Sequence, residues 1–115
     1  MVKPCGALAS SGTFDWVMQR ISAVILAVYL FVLVAALALH PEPLSYSVWV
    51  SWFKPTWMKG PTLLAIAALC LHAWVGMWTV ATDYLHGSLR CIFLWASGVG
   101  LVLCLGWGFL MLWGL

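Results

Sequence analysis

Four side chains in this sequence combine reactive chemistry with an unusual placement: His72, Asp83, Tyr84 and Arg20. His72 lies near the middle of a run, Gly60 to Thr82, that contains no Asp, Glu, Lys or Arg. An imidazole at the centre of so apolar a run is costly to keep unless something binds it, which makes it a functional-site candidate. Imidazole suits iron, and cofactor sites in helix bundles are built from side chains on facing helices, histidine-ligated haem among them. A proton relay or a hydrogen bond to a neighbouring helix would use the same residue, and the pattern alone leaves these open. Asp83 and Tyr84 close the same run, ~16–18 Å along a helix axis from His72. A phenol and a carboxylate at a membrane edge can hydrogen-bond a lipid-soluble carbonyl compound and pass protons to it; equally, they can be a belt aromatic and a solvated end residue. Arg20 stands at the start of another apolar block, placed either to pair with an anionic cofactor group or to snorkel toward the interface.

Positioning these groups falls to a chain that is 65% hydrophobic and only 7% charged over 115 residues, whereas an ordinary soluble domain carries about 25% charged residues. Such a chain cannot cover itself in water. Its apolar residues form three blocks, Ile21 to Leu39, Pro61 to Thr82 and Cys91 to Leu115, and each is long enough at ~1.5 Å per residue to cross a hydrocarbon core of roughly 30 Å. The fold class expected is therefore an all-α integral membrane protein with three transmembrane helices, over about 16–39, 61–83 and 90–114, in a single domain covering 1–115. The first block exceeds the roughly 7–15 residues of a signal-peptide core and precedes more membrane. Trp16, Trp49, Trp52, Trp57 and Trp113 fall near block ends, where an amphipathic ring prefers the headgroup level, while Trp74, Trp78, Trp95 and Trp107 lie deeper and pack against helices or lipid.

Between the blocks, His40-Pro41-Glu42-Pro43 ends the first helix and 40–60 reads as an interfacial connector with a short amphipathic helix. Lys59-Gly60-Pro61 starts the second helix, with proline in its first turn. His86-Gly87-Ser88 makes a tight link to the third. Cys5, Cys70, Cys91 and Cys104 show neither CxxC spacing nor a paired framework and are read as small apolar residues. The net charge of +2, with no basic run, excludes a nucleic-acid binder. Lys3, Arg20 and Arg90 on one side, against Lys54 and Lys59 on the other, favour a cytoplasmic amino terminus.

At 100° per residue, Ala65, Leu69, His72, Gly76, Thr79 and Asp83 form one stripe of the second helix, with Ala68 at its edge. Small residues around the histidine leave the space that a flat macrocycle needs beside its iron. His40 and His86 sit near block ends, so a second axial ligand would have to come from another subunit of a larger bundle. In the third helix Ala96, Gly100, Cys104 and Gly108 recur every four residues, a stripe that lets another helix come close.

The string His72-Ala73-Trp74-Val75-Gly76-Met77-Trp78-Thr79-Val80-Ala81-Thr82-Asp83-Tyr84 resembles the H-A-W-x-G-M-W-x-V-x-T-D-Y segment of the small hydrophobic membrane anchor of bacterial succinate dehydrogenase, the small subunit of a cytochrome b556. The approach to the first helix from Asp15 to Arg20 and the Trp113-Gly114 ending agree in outline, and the S-P-H-x-x-I-Y type segment of the partner anchor in that family does not occur. Phe14 stands where the family often has a histidine, which removes the basis for carrying a propionate or proton role to that position. The resemblance implies that His72 is one axial ligand, hence an iron ligand, of a b-type haem shared with the partner anchor, which supplies the other. It implies that Tyr84, with Asp83, borders a ubiquinone site where the anchor meets the iron–sulfur subunit, and that Arg20 lies near a haem propionate. Such a chain does no succinate chemistry itself. A flavoprotein subunit oxidises succinate, iron–sulfur clusters carry the electrons to quinone, and the anchor holds that pair at the bacterial cytoplasmic membrane, joining the tricarboxylic acid cycle to electron transport. Two rival readings are a fumarate reductase anchor, which runs the same couple in reverse, and a cofactor-free membrane adaptor or transporter subunit.

Overall fold

The computed structural model describes residues 12–115 and contains four helices: α1 Gly12–Leu39, α2 Tyr46–Phe53, α3 Thr56–Tyr84 and α4 Gly87–Trp113. Among the described residues there is no strand, and α1, α3 and α4 are each long and apolar enough to cross a membrane. A bilayer core offers no water to satisfy peptide groups, so a chain this apolar resolves into helices that bond their own backbones.

All three spans begin earlier than the apolar blocks. Hydropathy marks the part of a helix in hydrocarbon, whereas helical hydrogen bonding continues through polar residues in the headgroup layer. α1 starts at Gly12 rather than near 16, and Asp15 sits in its first turn, where a carboxylate complements the helix dipole. α3 starts at Thr56 rather than 61. Pro55, extended at φ −62° and ψ 141°, precedes it, and its carbonyl accepts from Met58 N at 3.0 Å and Lys59 N at 3.2 Å. Pro61 therefore lies inside α3, where its missing N–H leaves the carbonyl one turn earlier, at exposed Trp57, without its helical donor. α4 starts at Gly87, whose φ of 62° is the left-handed conformation that lets Leu85 and His86 alone join two antiparallel spans.

The connector holds α2, which is capped by the Ser45 Oγ accepting from Val48 N at 3.3 Å. Its aromatic side is tied together by Trp49 and Phe53 at 4.8 Å and by His40 edge-on to Trp52 at 5.7 Å between ring centroids. His40 also donates Nδ1–H to the Glu42 carbonyl at 2.6 Å, which commits it to the loop.

α3 is the central helix, packed against α1, α2 and α4. Polar contacts set the antiparallel register of α1 and α3: Ser22 meets His72 and Tyr29 meets Thr62. Across the other seam, an added Cβ at Gly98 would sit 3.4 Å from the Trp74 ring and one at Gly108 only 2.9 Å from Ile66 Cδ1. Gly108 thus serves close approach within the chain, as expected of a small-residue stripe. Ala96, Gly100 and Cys104 do not: a four-residue spacing drifts around the helix by about 40° per step, and these three face outward. Trp74 and Trp78 pack on the buried pair Ala81 and Leu94, whereas Trp95 and Trp107 are exposed. Most of the large apolar side chains, Phe31, Leu39 and Val102 among them, are exposed, as suits spans whose outer faces meet lipid. Cys70 and Cys104 are free, as read from the sequence, but Cys91 is disulfide-bonded, which corrects the reading of all four cysteines as unpaired.

Candidate functional site

His72 lies mid-way along α3, half-buried, at the border between the side covered by α1 and a side left open. Its Nδ1 is 3.2 Å from the Oγ of Ser22, which is 1% exposed and is itself 3.1 Å from the Gln19 carbonyl one turn back on α1. Ser22 was not singled out in the sequence because one serine inside an apolar block reads as a neutral small residue. Its signal is that a hydroxyl in hydrocarbon must find a partner. Gln19 is a further residue of this face; its side-chain oxygen is buried without a hydrogen-bond partner among the described residues.

The stripe around His72 is unevenly covered. Ala65 and Ala68 are buried at 5% exposure each, whereas Leu69, at 55%, and Thr79 are exposed. At Gly76, one turn beyond His72 on the same side, an added Cβ would meet nothing within 4 Å. Contacts within the chain therefore do not call for glycine there, in contrast to Gly108. An apolar groove of about 580 Å³ between α3 and α4, with Trp74, Trp95 and Gly98 in its wall, is a separate feature that His72 does not line.

Asp83 and Tyr84 are exposed on the last turn of α3. Holding that turn is Arg90, counted in the sequence only as an orientation charge. It is 6% exposed, and its guanidinium donates to the carbonyls of Ala81 at 3.3 Å, Thr82 at 3.4 Å and Leu85 at 3.0 and 2.7 Å. A cation at a helix C-terminus satisfies orphan carbonyls and complements the dipole. Its sequence signal was a charge placed directly after a two-residue link, where the preceding helix end comes within reach of a long side chain.

Arg20 is exposed, with its guanidinium 5.1 Å from the centroid of the Trp16 ring. Being two residues before Ser22, it projects from nearly the opposite side of α1. The structure thus brings His72 together with Ser22 and Gln19, groups Asp83 and Tyr84 with the Arg90 clamp, and keeps Arg20 apart from both. Among the described residues no cluster of three or more His, Cys, Asp or Glu side chains forms a metal site.

A membrane bundle of three spans, with one histidine at mid-depth on its central helix and a carboxylate–phenol pair at that helix's end, defines the class as a small helical membrane-anchor protein. The chain belongs to the succinate dehydrogenase/fumarate reductase transmembrane subunit family, which it matches over residues 6–104. It is similar to the succinate dehydrogenase hydrophobic membrane anchor subunit of Coxiella burnetii, being 39% identical over 77 residues that cover 67% of this chain and 66% of that protein. The chain thus spans just under two thirds of that relative's length in the matched part.

Proposed function

We propose that this chain is the membrane anchor of a succinate dehydrogenase in a bacterial cytoplasmic membrane. It holds the iron–sulfur and flavoprotein subunits, would hold through His72 a b-type haem shared with a second, partner anchor, and borders a ubiquinone site with Tyr84 and Asp83. The observation that carries the haem assignment is the open side of α3 at His72, where Gly76 leaves free the space that a side chain would occupy. A ligating nitrogen with a glycine one turn away fits a planar macrocycle on the open side, and the second ligand falls to the polypeptide that covers this side. When bound, haem would supply a one-electron redox couple, and His72 would hold and orient it. Tyr84 can donate its hydroxyl to a quinone carbonyl at the membrane edge, and Asp83 can hold a proton beside it. Arg20 stands at the headgroup end of α1 on the side away from Ser22, over the Trp16 ring, so it would have to leave that ring and reach around the helix end to pair with a haem carboxylate. The name of the Coxiella burnetii relative favours succinate dehydrogenase over fumarate reductase among the two activities of the family.

The test is the optical spectrum of the purified complex. A dithionite-reduced b-type band is expected in the native complex, and His72→Ala should abolish or displace it. A native complex without that band, or an unaltered band in the variant, would overturn the haem assignment.

A further inference from the structure

Resting on the haem reading of His72, we infer that Ser22 is the positioning residue that fixes which imidazole nitrogen faces the iron. A neutral imidazole carries one proton, and the partner of one ring nitrogen decides the state of the other. Here Nδ1 has a hydroxyl oxygen at 3.2 Å and that hydroxyl has a carbonyl at 3.1 Å. The Gln19 carbonyl can only accept. Ser22 therefore gives its single proton to Gln19, and its oxygen accepts from Nδ1–H. The Nε2 lone pair remains for a ligand.

The opposite tautomer is disfavoured on the same groups. It would place an N–H on Nε2, for which the described residues offer no acceptor, inside a span where an unsatisfied donor costs roughly 1–3 kcal/mol. Ser22 is suited to the task because, at 1% exposure, it has no competing contact with solvent or lipid. Bound to the i−3 carbonyl of its own helix, its hydroxyl is held in one rotor position. The ring of His72 on α3 is thus oriented by α1, so two spans together present the one imidazole that would hold the iron.

Donation from Nδ1–H to an oxygen raises the basicity of the far nitrogen, which favours oxidised over reduced iron. Removing the acceptor should therefore lower haem affinity about 10–100-fold, the usual scale for losing such an outer partner, and raise the haem's midpoint potential. A role limited to helix packing would not move the potential.

The experiment compares Ser22→Ala with the near-isosteric pair Ser22→Thr and Ser22→Val in the assembled complex. Haem content is read by pyridine haemochrome and the midpoint by redox titration, with His72→Ala as the reference. Native-like values in Ser22→Thr, with lower content and a raised midpoint in Ser22→Ala and Ser22→Val, are expected. Native values of both quantities in Ser22→Ala, while His72→Ala loses the b-type band, would overturn the role of Ser22 and leave the haem reading standing. If Ser22→Ala does not assemble, an equal midpoint in the Thr and Val variants overturns it. A b-type band unchanged in His72→Ala would instead remove the haem reading, and the role of Ser22 with it.

Discussion

At the scale of single residues, the site divides into groups that were legible and groups that were not. His72, Asp83 and Tyr84 stand out because charge or polarity is rare in such a chain, so each exception demands a reason. Ser22 and Gln19 do not stand out, since their meaning comes from a helix fifty positions away that only the fold brings into reach. Two outcomes follow at this scale. Tyr84→Phe removes one donor at the proposed quinone edge and should slow quinone reduction about tenfold, the equivalent of one hydrogen bond worth ~1.4 kcal/mol. Succinate oxidation by an artificial soluble acceptor should be nearly unchanged, and parallel assays of the two reactions decide, because equal loss in both would remove Tyr84 from the quinone site. Gly76→Leu fills the open side of α3 at an overpacking cost of about 1–3 kcal/mol, enough to lower haem content several-fold in a pyridine haemochrome assay. Full haem content in that variant would show that the side beside His72 is not where the macrocycle lies.

At the scale of elements, the number and order of spans were readable, because three apolar blocks in one chain have few other solutions in a bilayer. Their ends were not, because the helices run on into residues that hydropathy assigns to the interface, most clearly where Pro55 rather than Pro61 marks the start of α3. Nor was the function of Arg90 visible. Four donor contacts to the end of α3 make it a structural clamp on the turn that carries Asp83 and Tyr84. Arg90→Gln, which loses the charge and most of that fork, should destabilise the α3–α4 turn by roughly 2–3 kcal/mol. The expected readout is faster protease cleavage at Leu85 to Ser88 with an unaltered reduced haem band, since His72 lies several turns away. Unchanged cleavage would mean that Gly87 and the adjoining Ala81–Leu94 packing hold the turn without the clamp.

At the scale of the whole molecule, antiparallel spans put the start of α1 and the α3–α4 link at one membrane face, and α2 with the end of α4 at the other. Tyr84 and the amino-terminal side therefore share a face. If that face is cytoplasmic, as the basic residues favour, the proposed quinone edge lies on the side where the proposed iron–sulfur and flavoprotein subunits would dock. An alkaline phosphatase fused after Leu115 should then be active and a green fluorescent protein at the same place dark; the reverse pattern would invert the chain. The lengths of α1, α3 and α4, 28, 29 and 27 residues, carry a last consequence. At ~1.5 Å per residue each is about 40 Å or more, so a thin bilayer must tilt them or stretch to meet them. Because α3 packs to both sides, tilting moves the bundle as a unit, and the depth of Tyr84 then follows the acyl-chain length of the surrounding lipid.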